Sequence, residues 1–478
     1  MLFNSIDFAF FFCIVFFLYW FPFRKSLKGQ NWLLMIASYY FYSCWDVRFL
    51  LLLAGSTFLC YLSGLQIYHA SNPRIKRLWL WSGVALNIGS LGFFKYYNFF
   101  AESLSGLLHT VGFATEISSL NIILPVGISF YTFHGLSYIF DIYNDRLKPT
   151  RNLIDYSLFV SFFPLLIAGP IERATHLLPQ VSRPREFNYD RAVDGLKQIL
   201  WGLFKKMVIA DNCAQYANQI FTHSEAYSGS TLVVGAVFFA IQIYGDFSGY
   251  TDIALGTARL LGFELLRNFA YPYFSRDMAE FWRRWHISLS SWFRDYLYIP
   301  LGGSRGGMWM KIRNTFIIFV VSGFWHGANW TFIVWGALNA LFMMPLVVFK
   351  MNRNHIDIVA KGKSLPSLRE AGEMLLTFVL AVFAWIFFRA EDMNHAFSYL
   401  SGIFDASLFV LPQVWPWLTI VCVIFFFVVE WSGREHSYAL GGVGNNWHSV
   451  WRWSFYYAIF IVIILFRGSG QQFIYFQF

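Results

Sequence analysis

Residues 277–330 read DMAEFWRRWHISLSSWFRDYLYIPLGGSRGGMWMKIRNTFIIFVVSGFWHGANW, and the two histidines in this stretch have unlike surroundings. His286 sits among arginines, serines and tryptophans, whereas His326 closes a long apolar run between Trp325 and Gly327. Asp277, with Glu280 three residues on, is a helix start of the capping-box kind, and the run from Ile299 and Pro300 into Gly302 and Gly303 is a stop. Between them Trp282, Trp285, Leu289, Trp292 and Tyr296 step by 3, 4, 3 and 4. That spacing predicts one helix with an aromatic stripe, lying along a membrane surface with Arg283, Arg284 and Arg294 toward headgroups and water. The second half, Ile312 to Phe324, is apolar enough to enter the hydrocarbon and carries His326 with it. An ionisable side chain at such depth is costly, so a functional role is the first expectation. A neutral imidazole there keeps one ring nitrogen able to accept a proton, the state a general base needs. The plainer alternatives are a packed histidine bonded to a carbonyl for His326 and a headgroup anchor for His286. Depth, aromatic shielding and the adjacent glycine favour function at His326.

Composition places the whole chain in the same environment. Of 478 residues, 57% are hydrophobic and 13% charged, against about 25% charged in a soluble domain, which reads as a polytopic membrane protein. The aromatic fraction of 21% suits interfacial belts and a packed intramembrane core. A formal net charge of +9 would suggest nucleic acid in a soluble protein, but here it points to cytoplasmic loops and anionic lipid, so lipid and no nucleic acid is the expected partner. Cys13, Cys44, Cys60, Cys213 and Cys422 are scattered without CxxC spacing, and neither a disulfide framework nor a metal site is implied.

Taken in order, the chain opens with an apolar run from Phe8 to Phe23, read as a retained first span, followed by cytoplasmic Arg24, Lys25 and Lys28. Trp32 to Trp45 and Phe49 to Tyr68 form a hairpin about Asp46, and Arg74, Lys76 and Arg77 return the chain inside. Leu78 to Phe100 crosses to an outer loop that holds Glu102 and Glu116 and no Lys or Arg, and Ile122 to Ile142 crosses back. Ser157 to Ile171 has basic residues on both flanks and is expected to be re-entrant. Ala192 to Phe221 is a long helical stretch bearing Lys197, Lys205 and Lys206. The span Thr231 to Tyr244 leads into GDFSGYTDIALG, read as a glycine-rich break in which Asp246 and Asp252 act as caps, with pairing to the basic helix, coordination of a cation or proton relay as alternatives. Phe332 to Phe349, a basic loop from Lys350 to Arg369, Met374 to Phe388, Trp415 to Val429 and Trp453 to Phe466 complete the chain. By length these make roughly ten or eleven spans. They are expected to form one integral-membrane domain, with N-terminal spans over 1–120, a catalytic core over 121–349 and C-terminal spans over 350–478. The chain contains no P-loop, no HExxH and no GxGxxG opening a helix, so its chemistry is expected to use intramembrane polar residues.

The segments FWRRWHISLSSWFRDYLYIPLGG, VSGFWHGANWTFIVWGALNA, IYGDFSGYTDIALG and LPVGISFYTFHGLSYIFDIY, with the ending FIYFQF, resemble the membrane-bound O-acyltransferase superfamily and its bacterial alginate O-acetylation subgroup. The resemblance implies an all-α polytopic fold, with re-entrant and interfacial helices around a central tunnel, in the bacterial cytoplasmic membrane. It places the invariant family histidine at His326 and the second motif histidine at His286. Arg283, Trp285, Ser288, Arg294, Asp295, Trp325, Asn329, Asp246 and Asp252 are then candidates for donor binding or orientation, with no bound cofactor and no metal. Such proteins take an acyl group from a cytoplasmic thioester, usually acetyl-CoA. They pass it to a hydroxyl or to an extracytoplasmic transferase of the SGNH type that acetylates a polysaccharide. The related D-alanyl transferases of teichoic acid share WHISLS and WFRD but lack the IPLGGSR continuation at Ile299 to Arg305, which favours acetyl. Alginate, peptidoglycan and other exopolysaccharides stay open as the polymer, and direct transfer and an acyl-histidine intermediate stay open as the mechanism. The rival class is a proton-coupled transporter using His326, Asp246 and Asp252, against which stands the lack of repeat symmetry.

Overall fold

Helical periodicity and apolar composition run through almost the whole chain, and in the computed structural model helices joined by loops are accordingly the regular structure of the described residues, 1–113, 118–166, 169–444 and 446–474. Glu116, Ile167, Ala168 and the final four residues of the FIYFQF ending lie outside them. In order the helices are α1 Ile6–Trp20, α2 Leu27–Ser43, α3 Val47–His69, α4 Pro73–Leu91, α5 Tyr97–Thr110, α6 Ile128–Tyr143, α7 Leu153–Ser161, α8 Phe163–Leu166 and α9 Ala174–Val181. They continue as α10 Tyr189–Phe204, α11 Asp211–Thr222, α12 Gly229–Leu260, α13 Met278–Arg284, α14 Ile287–Phe293 and α15 Gly307–His326. The last are α16 Trp330–Val348, α17 Leu368–Arg389, α18 Met393–Ile403, α19 Trp417–Ser432 and α20 Ser449–Phe466. Among them α3, α12, α16, α17 and α20 are long and apolar enough to cross a membrane, and α1 and α19 are shorter apolar helices.

The chain divides into two compact units, Met1–Tyr189 with Ala258–Leu266, and Asp190–Thr257 with Arg267–Phe478. In the first, Asp46 caps α3 by accepting from Arg48 N at 2.9 Å, so the hairpin turns where the sequence placed it. The run from Ser157 is no single span: α7 and α8 break at Phe162, and both are buried in protein. Trp20 Nε1 donates to Leu260 O and Tyr19 Oη to Leu261 O, each at 3.0 Å, which ties α1 to the 258–266 segment of this unit.

The second unit holds both histidines of the opening stretch. GDFSGYTDIALG is not a break: it lies inside α12, which is continuous over 32 residues. Two of its glycines, Gly249 and Gly256, serve close helix contact instead. A Cβ on Gly249 would stand 2.8 Å from Gly202 O on α10, so only a bare backbone permits the approach. Gly249→Ala is therefore expected to force the two helices apart at a cost of about 1–3 kcal/mol, read as a lower unfolding temperature in detergent. The same device operates between α15 and α16, where a Cβ on Gly336 would meet Phe319 O.

Closing these helices brings charges together deep in the unit. The Lys206 ammonium bridges Asp246 at 2.8 Å and Asp211 at 2.7 Å, and Lys205 meets Asp252 at 2.5 Å. Glu430 on α19 accepts from Trp201 Nε1 at 2.8 Å and Tyr244 Oη at 2.6 Å. Asp246 and Asp252 are thus not helix caps: they pair with the basic helix, because burial demands a counter-charge for each. Asp246 Oδ2 also accepts from Ile474 N at 2.7 Å, and Lys206 Nζ donates to Gln471 O at 3.1 Å, so the same cluster anchors the C-terminal segment.

Candidate active site

The aromatic spacing of residues 282–296 predicts one surface helix, and the structure corrects this. Asp277 does cap α13, accepting from Glu280 N at 2.7 Å, but the helix ends at Arg284 and α14 starts at Ile287. His286 lies at the break with φ 43° and ψ 53°, in the left-handed region. Trp285 and Trp292 face protein, not lipid, and are buried. The reason is tertiary: Trp285 packs against Phe281 at 5.5 Å, Phe269 at 5.1 Å and Trp385 at 5.0 Å, which a straight surface helix would not allow.

His326 is the last residue of α15, and the chain turns at Gly327 before Asn329 caps α16 by accepting from Thr331 N. Its imidazole is enclosed by Trp325 at 4.9 Å, Trp335 at 5.2 Å and Phe388 at 5.2 Å, and the His286 ring stands 6.5 Å away. Phe247 of α12 lies edge-on to His286 at 4.7 Å. Burial pushes the His286 imidazole below its ordinary range, because no water reaches the ring to solvate a cation. Two aromatic-walled imidazoles, one at the break before α14 and one at the end of α15, therefore stand side by side, and such a pair can accept and orient protons on a bound acceptor.

The other expected residues divide. Trp325 stands with the pair, its ring 6.1 Å from His286. Ser288 donates to Asn268 Oδ1 at 2.6 Å, just beyond the break. Arg283 is engaged by carbonyls, donating to Asn352 O at 2.8 Å and His355 O at 2.6 Å, so it ties down the basic loop. Asn329 is a strut, its Nδ2 donating to Glu391 O at 2.7 Å. Arg294, paired with Asp295 at 2.8 Å, is exposed at the rim of a cavity of about 570 Å³, whose lining includes Lys311, Lys350, Arg353 and Phe319. Asp246 and Asp252 belong to the ion cluster. Sequence reading did not single out Trp335, Phe388 and Asn268, whose relevance depends on distant partners. Glu430 was also passed over, although an acid inside the apolar run of α19 is itself a signal.

With this geometry established, similarity to known proteins is informative. The sequence profile described as the membrane-bound O-acyltransferase family matches residues 144–369, which contain both histidines. The probable alginate O-acetylase AlgI of Pseudomonas aeruginosa is 39% identical over 416 residues, covering 87% of this chain and 77% of that protein. The probable alginate O-acetylase AlgI of Pseudomonas putida is 36% identical over the full length of both chains. The peptidoglycan O-acetyltransferase of Helicobacter pylori is 36% identical over 434 residues, covering 84% of this chain and 80% of that one. An all-helical chain with apolar spans, a buried histidine pair at the motif positions and end-to-end similarity of this order belongs to the membrane-bound O-acyltransferase family.

Proposed function

We propose that this protein moves an acetyl group from a cytoplasmic thioester, acetyl-CoA, to the far side of the bacterial cytoplasmic membrane for O-acetylation of a polysaccharide, alginate or a related exopolysaccharide. The observation that carries the reading is the His286 and His326 pair in one aromatic enclosure. His326 takes the proton of an acceptor hydroxyl, the oxygen attacks the thioester carbonyl, and the thiol leaves with a proton. His286 orients the reacting groups or stabilises the oxyanion. The immediate acceptor is a hydroxyl of an extracytoplasmic partner of the SGNH-hydrolase type, which finishes transfer to the polymer. Peptidoglycan as the final acceptor is the second reading, favoured by the Helicobacter pylori relative.

The cavity beside α15 suits the donor. Arg294, Lys311, Lys350 and Arg353 supply cations for phosphates, while Ile318, Met343 and Val347 give an apolar wall for the rest of a thioester carrier. Its basic end is the cytoplasmic one by the positive-inside rule. Phe319 in its wall precedes His326 by seven residues, a helix rise of about 10 Å. Replacing Lys350 or Arg353 by glutamine is expected to raise KM for acetyl-CoA about 5-fold each, with kcat little changed and the effect fading in high salt. An unchanged KM in both variants would remove this cavity from the donor path.

The reading is tested with purified protein in lipid, radiolabelled acetyl-CoA and a candidate extracytoplasmic partner. Label reaching the partner only when His326 is intact supports it. Substrate flux with no acyl donor present would instead revive a transporter.

A further inference from the structure

His286 has a backbone conformation that a residue with a Cβ rarely adopts, at the point where Trp285 N still donates to Phe281 O of α13 and Ser290 N of α14 already donates to His286 O. The restraint comes from a segment that runs beside the break. Ile287 N donates to Asn268 O at 2.9 Å, and Ser288 donates to Asn268 Oδ1 through its hydroxyl at 2.6 Å and its N–H at 3.4 Å. Two residues on, Ala270 N donates to Arg284 O at 3.0 Å, so the break is bracketed on both sides of His286. The intervening Phe269 packs edge-on against Trp285 at 5.1 Å and Phe247 at 5.0 Å, and Phe247 is the ring that meets His286. Asn268 is wholly buried.

We propose that Asn268 is a positioning residue, which holds His286 in its left-handed turn and so sets the imidazole beside that of His326. The proposal rests on the reading of His286 as a participant in acyl transfer. An amide suits the task because its Oδ1 accepts from Ser288 while its Nδ2 edge, with no protein acceptor, lines a small polar cavity with Ser248, Thr251, Lys205 and Asp252, large enough for a water molecule. Alanine keeps the backbone acceptor for Ile287 but offers none to Ser288, and the turn then relaxes toward the helical conformation that the local sequence prefers.

The test compares acetyl transfer from labelled acetyl-CoA in lipid for the wild type, Asn268→Ala, Asn268→Asp, His286→Ala and the double variant Asn268→Ala/His286→Ala. Asn268→Ala is expected to lower kcat about 100-fold, the scale of a misplaced catalytic group, with KM for acetyl-CoA unchanged. Asn268→Asp keeps the acceptor for Ser288 and is expected to recover most of the rate. In the His286→Ala background, Asn268→Ala is expected to cost nothing more. Wild-type kcat in Asn268→Ala, or an equal further loss in the double variant, overturns the proposal while leaving His286 in place. A wild-type rate in His286→Ala overturns the underlying reading. Should Asn268→Ala not fold, Ser288→Ala removes the same hydrogen bond from the other side and is expected to lower kcat roughly 5-fold, and an unchanged kcat there counts against the proposal equally.

Discussion

His326→Ala is expected to lower acetyl transfer about 10²–10⁴-fold, the share of the rate that a positioned base supplies. Loss of a buried ring also has a structural cost. The imidazole fills space between Trp325, Trp335 and Phe388, so alanine leaves a cavity against three aromatic faces. The two effects separate by adding His326→Gln, which fills much of the volume but cannot serve as a base. Both variants are expected to remain soluble in detergent, His326→Gln with an unfolding temperature near the wild type and His326→Ala with a lower one, and both to lose transfer alike. Recovery of the rate in His326→Gln would assign the ring a packing role and leave the chemistry to His286.

The second large effect concerns stability. Lys206 is 1% exposed and its single positive charge is shared between two carboxyl groups, Asp246 and Asp211, each 2% exposed. Lys206→Met preserves much of the side-chain length but leaves both carboxylates in a dry interior, at an expected cost of about 3–5 kcal/mol. It also removes the donor to Gln471 O, so the C-terminal segment loses one of its anchors. The measurement is thermal unfolding in detergent, with Lys25→Met, an exposed lysine, as the control. Proteolysis of the C-terminal segment is expected to quicken in step with the fall in unfolding temperature. A Lys206→Met protein as stable as the control would mean that the carboxylates find other partners.

Much of this molecule was open to reading from residues alone. Helical class, membrane residence, the cap at Asp277, the turn at Asp46 and the burial of His326 all follow from signals contained within a few residues. The break at His286 did not, because its aromatic spacing fits a helix and the hydrogen bonds that interrupt it come from Asn268, 20 residues upstream in sequence. Arg283 looked available for phosphate, yet its guanidinium is taken by carbonyls about 70 residues away. The glycines around Asp246 looked like a break because glycine disfavours helix, and the tight approach of α10 that requires them cannot be seen locally.

What the sequence determined by itself is therefore the solvent of each segment and the chemical candidates within it, since hydropathy, periodicity and capping are sums over neighbours in the chain. Tertiary structure decided which partners those candidates meet: His286 with His326, Lys206 with Asp246 and with Asp211, Ser288 with Asn268. The physical reason is that a buried charge or amide must find a partner wherever packing brings one, and in Lys206 with Gln471 the chain between partners spans 265 residues.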